Sequence, residues 1–507
     1  MSTIKISNMS YAYEGSAEYV FKEVSLIIDT EWKLGLVGRN GKGKTTFMHI
    51  LAGLYRPEGE IVLNVDTELF PYVIKSEYEK TENVIISILG EYLKLERQME
   101  DSLKNNNQVE YFELLEQYIA IDGYNIRDII KNEIVKIGLN IDILDKDYSV
   151  LSGGEKTKVL IATLFLKGKE FVMLDEPTNH LDYEGRVSLA NYLKKKKGFI
   201  VASHDREFIN MCADHILSIN RKTIEIEQGN YDSWEVNKRY KDKNIIERKK
   251  QLTEESIKVK NSQEEIRVWM KDAGERSLAK FSSRVRAMDS RLMRIEEEKQ
   301  SLIDNGDSEV DLKCSYQKYR QDRLMLINKA TIGYNEHNIV ENISFDINVG
   351  DRIVIQGGNG CGKSTLIKAI IERNCNYGDI IYNKDLKISY IPQIQHNMCG
   401  NIENFLIDTN INISLFYTVL FQLGFERKDL HKDIDEMSDG QRKKILIAKA
   451  LIDETNIYIW DEPLNYLDII NRRQLEDVVM KYNVTMLFVE HDIAFVNRVA
   501  NKRIVLQ

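Results

Sequence analysis

Two stretches of this chain carry residues whose types and spacing suit them to hold and split a chain of phosphates. Gly38-Arg39-Asn40-Gly41-Lys42-Gly43-Lys44-Thr45 and Gly357-Gly358-Asn359-Gly360-Cys361-Gly362-Lys363-Ser364 both fit the pattern G-x-x-x-x-G-K-[ST]. Glycines let backbone N–H groups approach phosphate oxygens, and a helix starting at the loop adds a favourable dipole. Lys44 and Lys363 would reach the β- and γ-phosphates, Thr45 and Ser364 would ligate Mg²⁺, and Thr46 and Thr365 follow at the helix start. The pattern needs a strand before it and a helix after it. Leu34-Gly35-Leu36-Val37 and Ile353-Val354-Ile355 read as the strands, with helices predicted over Thr45 to Leu54 and Ser364 to Glu372.

Each loop is followed by an apolar run ending in two carboxylates, Asp175-Glu176 and Asp461-Glu462, and then by a histidine, His204 and His491. A buried parallel strand delivers such residues at its carboxyl end. Asp175 and Asp461 would hold Mg²⁺. Glu176 and Glu462 would orient or deprotonate an attacking water, and the histidines would sense the γ-phosphate. The spacings repeat: Ser152 to Asp175 and Ser438 to Asp461 are both 23 positions, and Glu–His is 28 in one half and 29 in the other. The chain is therefore an internal duplication. Its first copy holds about 33 more residues between Tyr72 and Ser152, by the standard of repeats that insert into loops.

The rest of the composition bounds what this duplicated chemistry can serve. The 507 residues suit several domains. No run of about 18 apolar residues exists, so no membrane-spanning helix is expected. The N-terminus lacks signal-peptide blocks. Five scattered cysteines give neither a zinc site nor a disulfide framework, and fit a reducing cytoplasm. A net charge of −9 speaks against a nucleic-acid binder over the whole surface, though not against a local basic element. No proline lies between Pro177 and Pro392, which leaves room for long helices.

Leu151-Ser152-Gly153-Gly154-Glu155 resembles the signature motif of the ATP-binding cassette family, and Met437-Ser438-Asp439-Gly440-Gln441 resembles a diverged copy. The resemblance covers about residues 1–235 and 322–507. It implies an α/β fold of two P-loop cassettes using ATP and Mg²⁺, paired head to tail within one monomer. Ser438, Gly440 and Gln441 would then serve the Lys44 nucleotide, and Ser152, Gly153, Gly154 and Glu155 the Lys363 nucleotide. It also places Tyr13 and Tyr334 against adenine and Gln393 beside Mg²⁺. The departures cluster on the Lys44 site. Tyr72 stands where glutamine is usual, and Asp439 stands where the signature has glycine, a carboxylate that repels the triphosphate if it faces it. The two halves are accordingly expected to hydrolyse at different rates.

Between the cassettes, residues 237–321 differ in character. Ile245, Leu252, Ile257, Ile266 and Trp269, then Met288, Leu292 and Ile295, read as two amphipathic helices in an antiparallel hairpin turning near Lys271 to Ser277. From Arg267 to Arg294 eight cations face three anions. Trp269 and Phe281 interleave with Arg267, Lys271, Arg276, Lys280, Arg284 and Arg286, a chemistry suited to RNA loops. A solvated coiled coil is the plain alternative. Between Tyr72 and Ser152, Ile85 to Glu116 reads as a charged helical stretch ending near Asn105-Asn106-Asn107, either a short arm or an enlarged helical subdomain. No basic extension is expected after the last strand.

Twin cassettes with such a linker resemble the ABC-F class. That implies a cytoplasmic ATPase of the 70S ribosome, reaching 23S rRNA and peptidyl-site tRNA through the 50S exit-site region, without membrane or DNA. Glu31-Trp32-Lys33-Leu34-Gly35 and Lys197-Gly198-Phe199-Ile200 look like the Lsa- and Vga-type members, which protect against lincosamides, pleuromutilins and streptogramin A compounds. A housekeeping translation factor of the same class, the motor of a membrane exporter and a DNA-repair ATPase are the rival readings.

Overall fold

The computed structural model describes residues 2–16, 18–72, 74, 79–168, 171–179, 181–220, 223–271, 275–305, 312–334, 337–358, 360–393, 398–407 and 411–506, with backbone alone at 270–271, 275–280, 303–305, 334 and 407. The chain divides into two compact units, Met1–Ser308 and Glu309–Gln507.

Each unit is built on a parallel sheet whose strand order sets the site. In the first unit the order is Thr67–Phe70, Phe171–Asp175, Phe199–Ala202, Lys33–Gly38, His215–Ile219 and Ile224–Gln228, with only the last strand antiparallel. In the second it is Ile388–Ile391, Ile457–Asp461, Met486–Val489, Arg352–Gln356 and Lys502–Val505, all parallel. The central strands are apolar and buried on both faces, as parallel strands between helical layers must be. Parallel pairing puts every carboxyl end at one edge, with Asp175 in register with Ala202 and Asp461 with Val489. A second, antiparallel sheet accompanies each: Phe21–Asp29, Thr3–Tyr11 and Glu58–Leu63 in one unit, and His337–Asn348, Arg323–Tyr334 and Tyr377–Tyr382 in the other.

The surplus of the first half lies within a run of four helices, Thr81–Leu89, Tyr92–Lys104, Gln108–Ala120 and Ile126–Lys136, and the second ends at its cap Asn105, where the sequence places the end of the charged stretch. Gly90 ends the first of these, and Asn107 caps the third by accepting the N–H of Glu110. The two 13-residue helices pair around Leu95, Leu114 and Tyr118. Tyr118 and Arg127 both bind Glu96, which ties this small hairpin to the cassette.

The second hairpin is longer. Tyr231–Lys271 has 41 residues and Glu275–Asn305 has 31, so its first helix spans about 60 Å at 1.5 Å per residue. Its seam corrects part of the sequence reading. Leu252, Val259 and Ile266 are buried, but Ile257 and Trp269 are exposed. Ser256 and Gln263 complete the three-four spacing of the buried face. Gln263 donates to Asp289 across the seam at 2.6 Å, and Arg291 and Arg248 pair with Glu255 and Glu298. Leu312, assigned by sequence to the linker, is buried in the second unit's core. Leu252→Ala is expected to weaken the helix pairing by about 2–3 kcal/mol. Amide exchange should accelerate along 231–305 while the cassette sheets stay protected, and an unchanged hairpin would contradict the seam.

Candidate functional site

Gly43 and Gly362 each precede a helix, Lys44–Leu51 and Lys363–Glu372, at φ 95° and 94°. The first helix stops three residues short of the expected Leu54. A Cβ at Gly43 would meet Phe21 at 2.8 Å, and one at Gly362 would meet Ile339 at 2.5 Å, so both positions exclude side chains. Lys44 Nζ donates to the Gly38 carbonyl at 2.8 Å and to Asn40 Oδ1 at 3.4 Å. Lys363 Nζ donates to the Gly357 and Gly358 carbonyls, both at 2.9 Å. Each ammonium is thus held inside its loop, beside Gly41 or Gly360. Asn359, and the side chain of Tyr334 at the end of its strand, lie outside the described residues.

The strand ends converge on these loops. Thr45 Oγ1 donates to Asp175 Oδ2 at 2.6 Å. In the second unit Ser364 Oγ donates to Gln393 Oε1 at 3.5 Å. Asp461 is 1% exposed, and its Oδ1 is buried without a hydrogen-bond partner. Burial pushes its carboxyl up. An orphaned carboxylate oxygen beside a hydroxyl and an amide oxygen fits a hard divalent cation. Among the described residues no cluster of three His, Cys, Asp or Glu could hold a metal alone. Mg²⁺ is commonly held by one or two protein oxygens together with substrate phosphates and waters.

Glu176 and Glu462 sit at φ 49° and 47°, a left-handed conformation costly for glutamate and found where a site demands it. His204 Nε2 lies 3.3 Å from Glu176 Oε1, and His491 Nε2 lies 3.6 Å from Glu462 Oε1. Asn465 donates to Glu462 Oε2 at 2.6 Å. The His491 contact, with help from Gln393 and Asn465, lowers the Glu462 carboxyl to about 2. Glu462 is therefore an ionised acceptor near neutral pH.

Tyr72, Glu155 and Gln441 have protein partners in the structure. Tyr72 does not reach the loop: it packs on the first unit's core, its hydroxyl donating to the Leu160 carbonyl at 3.4 Å. Burial pushes that phenol up. Glu155 and Gln441 close capping boxes, accepting from the Ser152 and Ser438 N–H groups at 2.8 and 3.0 Å. The signature serines thus start helices whose first N–H groups belong to Gly153-Gly154 and Asp439-Gly440, an arrangement suited to anions. Asp439 turns to Arg442 on its own helix at 2.6 Å, so its charge is locally paired. Tyr13 is half-exposed, bonds Thr46 Oγ1 at 2.6 Å and meets Tyr11 and Tyr55 edge-on, which leaves it placed for stacking on a base. Thr365 occupies the place of Thr46 in the second loop helix.

At the hairpin's far end, Arg267, Arg284 and Arg286 are exposed beside Trp269, and Phe281 is half-buried. No carboxylate among the described residues pairs with those three arginines. The side chains of Lys271, Arg276 and Lys280 lie outside the described residues. Sequence reasoning passes over Lys443 and Glu490, both buried near Glu462. The available signal is that Glu490 stands before His491 where Ser203 stands before His204.

This site belongs to a P-loop ATPase of the cassette type. The family model for ABC transporters matches residues 21–179 and 340–465, and the chain belongs to that family, with its ATP-binding domain present twice. Over 92% of its length it is 29% identical to ATP-binding protein Uup of Haemophilus influenzae, covering 73% of that protein. Over 95% it is 27% identical to the energy-dependent translational throttle protein EttA of Escherichia coli, covering 88%. These relatives are of the ABC-F type, which lacks a membrane domain. Among solved structures, the archaeal ribosome recycling factor aABCE1, crystallised with ribosomal stalk protein aP1, superposes with a TM-score of 0.59 at 19% identity over 98% of this chain and 87% of that one. That likeness carries the fold. Among the described residues no helix is long and apolar enough to cross a membrane. ATP hydrolysis is the activity these domains define.

Proposed function

We propose that this chain is a translational ATPase that binds the ribosome when loaded with ATP and leaves after hydrolysis. The observation that carries the reading is the exposed cluster Arg267, Trp269, Arg284 and Arg286 toward the end of a long hairpin, in a chain whose net charge is −9. Cations with aromatic rings suit RNA phosphates and unstacked bases. The relatives Uup and EttA, the latter named for translation, support it.

In each half the chain's own residues would divide the work. Lys44 and Lys363 leave their loop carbonyls for the terminal phosphates. Thr45 with Asp175, and Ser364 with Asp461 and Gln393, would hold Mg²⁺, which withdraws charge from the β- and γ-oxygens. Glu176 and Glu462 take a proton from the attacking water, and His204 and His491 orient it. The ATP-bound and product-bound states differ in affinity for the ribosome, which is what a nucleotide-driven population shift requires.

The finer reading is protection of the peptidyl-transferase centre from lincosamides, pleuromutilins and streptogramin A compounds, with the hairpin entering through the tRNA exit site. The likeness to EttA favours a housekeeping factor instead. Expression in a susceptible bacterium separates the two. Protection predicts a rise of about fourfold or more in the inhibitory concentrations of lincomycin and tiamulin, a little under 1 kcal/mol of altered drug occupancy. Unchanged susceptibility would leave the housekeeping role.

A further inference from the structure

Two buried charges lie behind the Glu462–His491 pair, and the hydrolytic scheme uses neither. Glu490 is 7% exposed and Lys443 is 1% exposed. Glu490 Oε1 accepts the Leu464 N–H at 2.7 Å, and its Oε2 accepts the His491 N–H at 2.9 Å. Leu464 is two residues beyond Glu462. One carboxylate therefore clasps the backbone of both loops that carry the pair. Lys443, on the helix that begins after Ser438, donates to the Pro392 carbonyl at 3.4 Å, next to Gln393. Arg472, which holds Asp492 at 3.0 Å, also faces Glu490 and shares with Lys443 the balancing of its charge.

The first half makes the same junction without charge. Thr178 and Ser203 occupy the places of Leu464 and Glu490, and their hydroxyls meet at 2.7 Å. Thr157 occupies the place of Lys443, five positions beyond the signature serine. With leucine at 464 no hydroxyl is available there, and a side chain as short as serine in the place of Glu490 would leave two N–H groups unmet. The longer carboxylate reaches both, and a buried carboxylate needs cations near it.

We propose that Glu490 is a positioning residue for hydrolysis in the Lys363 half, clasping the Glu462 and His491 loops, with Lys443 fixing the Gln393 loop to the same assembly. The proposal rests on the assignment of Glu462 and His491 as the hydrolytic pair, which Glu462→Gln tests separately. The experiment measures steady-state ATPase of the full chain in a Glu176→Gln background, where turnover reports the Lys363 half. Glu490→Gln presents an amide N–H to one of two N–H donors and should lower kcat about tenfold, as small misplacements of reacting groups do. KM for ATP should stay within about twofold, since the phosphate loop is untouched. In a Glu462→Gln background the same change should alter turnover less than about twofold. The swap Lys443→Thr/Leu464→Thr/Glu490→Ser rebuilds the first half's hydroxyl pair and should restore kcat to within about threefold of the parent. An unchanged kcat for Glu490→Gln, or equal losses in both backgrounds, would overturn the proposal. If Glu490→Gln does not fold, the swap decides alone: kcat near the parent supports the clasp, and a folded swap below about a tenth of it overturns it.

Discussion

Glu462→Gln is expected to remove most of the protein's ATP turnover, and Glu176→Gln a minor part. Loss of a general base costs about 10²–10⁴-fold at its own site, so what each variant retains is the other half's rate. The Lys363 half is the better equipped. Gln393 reaches Ser364, Asp461 offers a buried oxygen, and Glu462 is held ionised by His491 and Asn465. In the Lys44 half Tyr72 is spent on the core, and Thr45 is bonded directly to Asp175. Turnover should fall below about a third in Glu462→Gln and remain above about half in Glu176→Gln, the shares left when one of two unequal rates is removed. Equal losses would contradict the asymmetry. Asp439 is not its source, because Arg442 takes up that carboxylate.

The second large effect belongs to the hairpin. Arg267→Glu/Arg284→Glu/Arg286→Glu should weaken ribosome binding about 100-fold or more at moderate salt. Each phosphate contact contributes through counterion release, and reversal adds repulsion. The dependence of binding on salt should become shallower, and ATPase of the free protein should stay within about twofold, since no altered residue touches a phosphate loop. Cosedimentation with ribosomes across a salt series checks this. Undiminished binding would assign the cluster to the solubility of a coiled coil.

Much of the site is legible in the sequence because its chemistry has rigid demands. Gly43 and Gly362 leave no room for a Cβ, the phosphate-loop pattern asks for lysine at 44 and 363, and each half ends a buried strand in two carboxylates, so their types and spacings stand out in both halves. What escapes is polar residues in buried places. Ser256 and Gln263 lie in the hairpin seam but break its apolar pattern, so the pattern points to Ile257 and Trp269 instead. Lys443 and Glu490 look like surface residues by type, and only the fold shows the loops they join. Ser152 with Glu155, and Ser438 with Gln441, match the capping-box pattern. The resemblance directs Glu155 and Gln441 to the nucleotide, and the structure shows both closing capping boxes. The break at Asn105-Asn106-Asn107 is legible, and helices end and begin there, but the packing of those helices is not. The pairing of the flanking helices depends on Tyr118 and Arg127 meeting Glu96 from later in the chain.

The most direct test of the account is ribosome recovery with a tagged Glu176→Gln/Glu462→Gln protein, which should bind ATP in both halves and hydrolyse neither. The account predicts near-stoichiometric 70S ribosomes with ATP and few with ADP. Equal recovery with the two nucleotides, or none with either, would contradict it.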